Sequence, residues 1–203
     1  MIIYEIGSAL VTFINFKMNV FWQYLNQSKL YLFKRRTFIM FPEVEIVMGS
    51  KSDIEKMKEV TEMLNKLDIS NRMSIFSAHR TPMELAEFIE SVVNVSTTCK
   101  VIIAGAGMSA ALAGAIAAQT PKPVIGIPLS GGKFKGVEAL LSTLEMPPGI
   151  PVLVVGVDAT KNAAIAAARI IALSDEKVRE NLLKFQDEQK QKVISDNKAI
   201  QTD

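Results

Sequence analysis

The hydrophobic pattern settles into order at residue 44 and then alternates between two periods. Val44 to Met48 is a short run of mainly apolar residues stopped by Gly49, as expected of a buried strand. Asp53 to Leu67 follows with Ile54, Met57, Val60, Thr61, Leu64 and Leu67 at helical spacing, which predicts one amphipathic helix. Met73 to Phe76 reads as a second strand, and Met83 to Val93 repeats the helical period through Leu85, Phe88, Ile89, Val92 and Val93. Val101 to Ala104 is a third strand, leading into an Ala-rich helix that runs to about Gln119. Pro123 to Ile127 and Val152 to Val155 complete five strands, and residues 161–173 and 176–195 close the chain as helices. Apolar strands separated by helices predict a parallel sheet covered on both faces. The fold expected is a single three-layer α/β domain over residues 41–203, with a C-terminal helix.

That architecture places function beyond the carboxyl ends of the strands, where ligands of open parallel sheets bind. Those ends carry Gly49-Ser50-Lys51-Ser52-Asp53, Ser77-Ala78-His79-Arg80-Thr81-Pro82, Gly105-Ala106-Gly107-Met108-Ser109-Ala110, Pro128-Leu129-Ser130-Gly131-Gly132, and Gly156. Small residues admit a ligand to the backbone, and helix starts offer free N–H groups to anions. No acid lies between Glu90 and Glu138, whereas Lys100, Lys122, Lys133 and Lys135 do. A small phosphorylated or carboxylated ligand is expected in this crevice. Each feature also has a plainer use. Ser52 and Asp53 suit a helix cap, Thr81-Pro82 suits a helix start, and the glycines suit close packing.

Composition narrows the classes. The chain has 203 residues, 49% of them hydrophobic, which excludes a disordered or fibrous protein. A net charge of +2 leaves no broad footprint for nucleic acid. The single cysteine, Cys99, cannot form an intramolecular disulfide and reads as an inert thiol in a reducing compartment. The single histidine, His79, stands at the second strand end beside Arg80. One His and one distant Cys do not make a metal site. Gly105-x-Gly107-x-x-Ala110 formally matches a dinucleotide fingerprint, but no acid follows about twenty residues on to bind ribose, and the loop follows the third strand.

Residues 1–40 differ from the rest, with five basic side chains and one acid against eighteen and twenty in residues 41–203. Ile2 to Phe16 is apolar but interrupted by Glu5 and ended by Lys17, too short and broken for a membrane span. The first residues lack the basic start of a cleavable signal. The segment reads as an extension ahead of an alternative start at Met40, its role open.

Three strings carry a resemblance: Met48-Gly49-Ser50-Lys51-Ser52-Asp53, Ser77-Ala78-His79-Arg80-Thr81-Pro82, and Ser142-Thr143-Leu144-Glu145-Met146-Pro147 followed by Gly149-Ile150-Pro151. Over about residues 43–195 the chain resembles the phosphoribosylaminoimidazole carboxylase catalytic-subunit family. The resemblance implies a flavodoxin-like fold, a cytoplasmic homo-octamer, and no metal or organic cofactor. It implies a phosphorylated aminoimidazole ribonucleotide as substrate, with neither nucleic acid nor membrane as partner. His79 would be the acid/base group. Ser50, Asp53, Ser77 and Arg80 would bind the ribonucleotide, and the loop of Gly105, Gly107, Met108 and Ser109 would line the pocket with N–H groups. The first reading is the mutase branch, which moves the carboxyl group of 5-(carboxyamino)imidazole ribonucleotide to a ring carbon. The alternative is the branch that carboxylates aminoimidazole ribonucleotide directly with carbon dioxide. Ala111 stands where the mutase branch usually has a second histidine, and Ala159 to Ala164 also leans to the carboxylase. Arg80 and Pro82 follow the mutase pattern.

Overall fold

The computed structural model describes residues 41–201, so the reading of residues 1–40 lies outside the described residues. Strands β1 (Val44–Met48), β2 (Asn71–Ile75), β3 (Val101–Gly107), β4 (Val124–Leu129) and β5 (Leu153–Val154) form one sheet in the order β2-β1-β3-β4-β5. Every pairing is parallel. This is the flavodoxin-like order, in which the chain reverses its direction of travel between β1 and β3.

Burial of both sheet faces follows from strand alternation. Val44, Ile46, Met48, Val101 and Ile103 point to one face and pack with α1 (Ile54–Lys66), α5 (Thr160–Ile171) and the start of α6 (Glu176–Gln201). Val47, Ile102 and Ala104 point to the other, under α2 (Pro82–Phe88) and α3 (Leu112–Ala117). The first layer is anchored by Met57, Val60 and Leu64 of α1, all fully buried, against a stripe of small residues on α5, Ala163, Ala164, Ala167 and Ala168. Alanines on α5 let the two helices approach closely. Removing Leu64 as far as alanine would therefore cost about 2–5 kcal/mol.

One expectation is corrected and one element is added. Strands that are apolar throughout describe β3 and β4 but not β2, where Ile75 is 48% exposed. An edge strand has one neighbour and is covered on fewer sides. The addition is a helix, α4 (Val137–Leu144), in a stretch to which the hydrophobic pattern assigned no element. It buries Ala139 and Thr143 while exposing Val137, Leu141 and Leu144, so its apolar period does not mark its inner face. Gly126 of β4 makes the docking possible, because a Cβ there would lie 2.5 Å from Thr143 Cγ2. Gly136, at φ 92°, turns the chain into α4. At α2 the helix continues as a π turn over Ile89–Val93.

The one acid inside a central strand is Glu45, fully buried and paired with Arg72 of β2 at 2.5 and 3.2 Å. Burial pushes its carboxyl above the ordinary range, and the Arg72 hydrogen bonds and charge only partly oppose this. The folded chain thus keeps this proton to a higher pH than the unfolded chain. Its contribution to stability is complete below the unfolded pKa and declines as pH rises through the raised one. Glu45→Gln should flatten that decline. Urea midpoints measured from the ordinary glutamate range upward should show a smaller slope than the parent, and superimposable curves would contradict this reading.

Candidate active site

Beyond the carboxyl ends of β1 to β4 lies a crevice of about 650 Å³. Its walls come from the segments that leave those four strands. Ser50, Ser52 and Asp53 stand after β1, Ser77 to Arg80 after β2, Ala106 to Ser109 with Ala111 and Leu112 at and beyond the end of β3, and Leu129 to Gly131 at and beyond the end of β4. The sheet brings together Ser50, Asp53, Ser77, His79, Arg80, Gly107, Met108 and Ser109 from the sequence-derived set. Gly105 is not among the lining residues. β3 continues through it, and it lies buried over Met57, where a Cβ would sit 2.4 Å from the Met57 Sδ. Its glycine identity serves packing.

The Ser50 segment is a tight polar turn. Ser50 caps the short helical turn Lys51–Asp53, its Oγ accepting from the Ser52 N–H at 3.3 Å and the Ser52 hydroxyl at 3.0 Å. The capping expected of Ser52 and Asp53 falls to Ser50, since neither residue caps α1 by its side chain. Asp53 is left facing the crevice. Burial raises its carboxyl above the ordinary range, against the Ser52 and Ser50 hydrogen bonds and the charges of Lys56 and Arg80.

The next segment is held by its own side chains. Thr81 Oγ1 accepts from the Ser77 N–H at 2.9 Å and donates to the Ser77 carbonyl at 3.2 Å. Thr81 precedes Pro82 as expected, but its hydroxyl is used in this turn and does not cap α2. The turn presents His79 and Arg80 outward. Arg80 donates to the Gly49 carbonyl at 3.0 Å and to Ser77 Oγ at 3.4 Å, tying the first wall to the second. Its remaining donors are available to an anion.

The third wall is strained. Met108 adopts φ 57°, the left-handed region, and is 65% exposed. Ser142 of α4 steadies the loop, its Oγ accepting from the Ala110 N–H at 2.9 Å while its own proton goes to the Glu138 carbonyl at 2.8 Å. Sequence reasoning named Ser142 within a motif but gave it no role, because no element was assigned to the residues that carry it.

The fourth wall brings in residues that the sequence set omitted. Lys56 Nζ donates to the carbonyl and Oγ of Ser130, both at 2.6 Å, and to the Asp158 carboxylate at 2.8 and 2.9 Å. Burial alone would raise the Asp158 carboxyl, but the bonds from Lys56 and Ser130 and the Lys56 charge outweigh it and hold it below the ordinary range. Lys56 stands one helical turn after Asp53, the only signal of its position. Lys100 and Lys122, expected to favour an anion here, lie at the opposite ends of the strands. Lys100 pairs with Glu43 at 3.0 Å, and Lys122 donates to the Ser96 and Cys99 carbonyls. Residues that precede a parallel strand stand at its far end. Cys99 is buried there, and burial first, then the nearby Glu45 charge, raises its thiol, while Lys122 opposes. Among the described residues no three His, Cys, Asp or Glu side chains gather as metal ligands, and no helix is long and apolar enough to cross a membrane.

Residues 43–192 match the family model for AIR carboxylase. The chain is 42% identical over 149 residues to N5-carboxyaminoimidazole ribonucleotide mutase of Pyrococcus abyssi, covering 73% of this chain and 84% of that protein. It is 40% identical over 153 residues to phosphoribosylaminoimidazole carboxylase of Schizosaccharomyces pombe, where the match covers 75% of this chain but 27% of that protein. The crystal structure of Treponema denticola PurE superposes with a TM-score of 0.72 at 30% identity, over 77% of this chain and 96% of that one.

The Met108 conformation yields a prediction independent of any ligand. Met108→Val should lower stability by about 1–2 kcal/mol, because a branched Cβ is excluded from positive φ, whereas Met108→Gly should leave it unchanged or higher. Urea denaturation decides, and equal midpoints for the two variants would refute the strain.

Proposed function

This chain belongs to the AIR carboxylase family, and from that premise we propose that its crevice converts 5-(carboxyamino)imidazole ribonucleotide to 4-carboxy-5-aminoimidazole ribonucleotide, a mutase step of purine biosynthesis. The single supporting observation is the placement of the chain's only imidazole, His79, in one crevice with Ser50, Asp53 and Arg80. The mutase-named relative, matched over 84% of its length, supports the mutase over the carboxylase-named one, matched over 27%.

The chemistry needs one proton moved twice. Loss of the carboxyl group from the exocyclic nitrogen breaks an N–C bond, and that nitrogen takes up a proton. The ring carbon then attacks the freed carbon dioxide, forming a C–C bond, and must release its own proton. One acid/base group that donates first and recovers its proton second closes the cycle, so the isomerisation leaves no net proton. We assign that role to His79, since imidazole is suited to proton transfer near neutral pH. Arg80 is assigned to the substrate phosphate or carboxylate through its unused donors. Ser50, Ser77 and Asp53 are assigned to the ribonucleotide, with Asp53 accepting from sugar hydroxyls in its ionised form. The loop of Gly107, Met108 and Ser109 is assigned to the carboxylate, offering backbone N–H groups. Confinement of carbon dioxide between these walls raises its effective concentration at the ring carbon.

We place this activity in residues 41–203, with no catalytic part for residues 1–40, and the enzyme in the cytoplasm as a homo-octamer. The exposed apolar side chains Phe134, Val137, Leu141 and Leu144 support association, since a patch of this kind on a soluble protein marks an interface. The second reading, direct carboxylation, is favoured by Ala111, which lines the crevice where the mutase branch has a histidine.

Two measurements test these assignments. His79→Asn should bind the ribonucleotide like the parent while turnover falls by about two orders of magnitude or more; turnover near the parent value would remove His79 from the mechanism. Carbamate substrate labelled in its carboxyl carbon, supplied with excess unlabelled bicarbonate, separates the branches. The mutase keeps the label because it captures the molecule it has just released. Complete dilution of the label into solution would establish the carboxylase instead.

A further inference from the structure

Lys56 sits behind the fourth wall of the crevice and is not itself part of the lining. Its ammonium is nonetheless used in full, on the Ser130 carbonyl and hydroxyl and on both Asp158 oxygens, at 2.6 to 2.9 Å. Asp158 completes the ring by accepting from the Ser130 N–H at 2.9 Å and from the Ser130 hydroxyl. The Asp158 N–H donates to the Pro128 carbonyl at 2.9 Å, and its backbone is held at φ 53°. Three segments far apart in sequence therefore meet on one residue of the crevice wall: α1, the end of β4, and the turn after β5. The side chains of Lys56 and Asp158 are 37% and 35% exposed, and an ion pair so placed adds little to stability. Stability does not account for a convergence of this kind. Placement of Ser130 does.

We propose that Lys56 and Asp158 are positioning residues that hold Ser130 and Gly131 as a fixed wall against the bound ribonucleotide, an inference that rests on the function assigned above. The wall needs outside support because it includes Gly131 and is followed directly by Gly132, and glycines leave a backbone free to drift. A reaction that must recapture its own carbon dioxide depends on a wall that does not move, since a displacement of about 1 Å can cost a factor of about a hundred in rate. The pair also acts electrostatically across the crevice. Asp53 feels the charges of Lys56, on its own helix, and of Arg80, from the turn after β2. His79 is the other titratable group lining the crevice, and Lys51 stands in the turn that precedes α1. Asp158 partly neutralises Lys56. Loss of Lys56 removes a cation from the neighbourhood of Asp53, and loss of the Asp158 charge strengthens the one that remains.

Steady-state kinetics on the carbamate substrate across pH, for the parent, Lys56→Met, Lys56→Arg, Asp158→Asn and Ser130→Ala, tests this. Lys56→Met should lower kcat about tenfold or more with KM changed less than about threefold. Lys56→Arg should recover most of the loss. The acid limb of kcat/KM should move to higher pH in Lys56→Met and to lower pH in Asp158→Asn. Ser130→Ala should lower kcat and leave the limb in place. A purely structural pair would lower the melting temperature and move neither limb. Parent-like kcat in both Lys56→Met and Asp158→Asn, or limbs that stay fixed or move together, would overturn the proposal. Should Lys56→Met fail to fold, Asp158→Asn and Ser130→Ala decide by the same criteria. An inactive parent would instead refute the functional reading, and the parent's own rate tells the two failures apart.

Discussion

Coverage of both faces of a parallel sheet is the constraint from which the rest of this structure follows. Val44, Ile46 and Met48 must face one helical layer while Val47 faces the other, so the central strands leave little lateral room for polar chemistry. Polar groups are driven to the strand ends, where backbone N–H and C=O groups run out of partners. Close packing reaches up to the edge of the crevice. Met57 lies fully buried against Gly105, and the chain leaves the sheet only after Gly107. The floor of the site is thus part of the core, and its walls are loops that the core sets in position.

The two ends of the sheet use charge differently. At the amino ends, Glu45 is buried against Arg72, and Lys100 and Lys122 are committed to Glu43 and to carbonyl groups. These cations close off backbone and acid groups and are not free for a ligand. At the carboxyl ends, Asp53 and Asp158 are shifted in opposite directions, because burial dominates at the first and the bonds from Lys56 and Ser130 dominate at the second. Arg80 bridges the first two walls and Lys56 supports the fourth. The crevice therefore combines fixed cations at its margins with a carboxylate whose charge depends on them.

Helix α4 joins the site to the outer surface. It supplies Ser142, which holds the loop at the Ala110 N–H, and its outer side exposes Val137, Leu141 and Leu144. Anything that packs on the outer side bears on a helix that also sets the third wall. The outer apolar face and the geometry of the Met108 loop are in this way mechanically connected, through a single two-turn helix whose docking depends on Gly126.

Much of this was legible in the chain. The alternation of buried strands with 3.6-period helices specified the layers, since each period can bury only one kind of face. Four of the five strand ends named from the sequence line the crevice, Gly156 after β5 not among them, and the strings around Ser50 and His79 supply much of that lining. What the sequence left undetermined has a common cause. Helix α4 escaped because it buries Ala139 and Thr143 and exposes Leu141 and Leu144, a pattern that makes sense only with Gly126 beneath it. Gly105 was placed in the loop because where a strand ends depends on its pairing, and β4 keeps β3 paired through Gly107. The hub of Lys56, Ser130 and Asp158 joins positions separated by 74 and 102 residues, and no local spacing carries such a contact. Local periodicity fixes which face of an element is buried. Only the assembled sheet decides which distant side chains share an end of it.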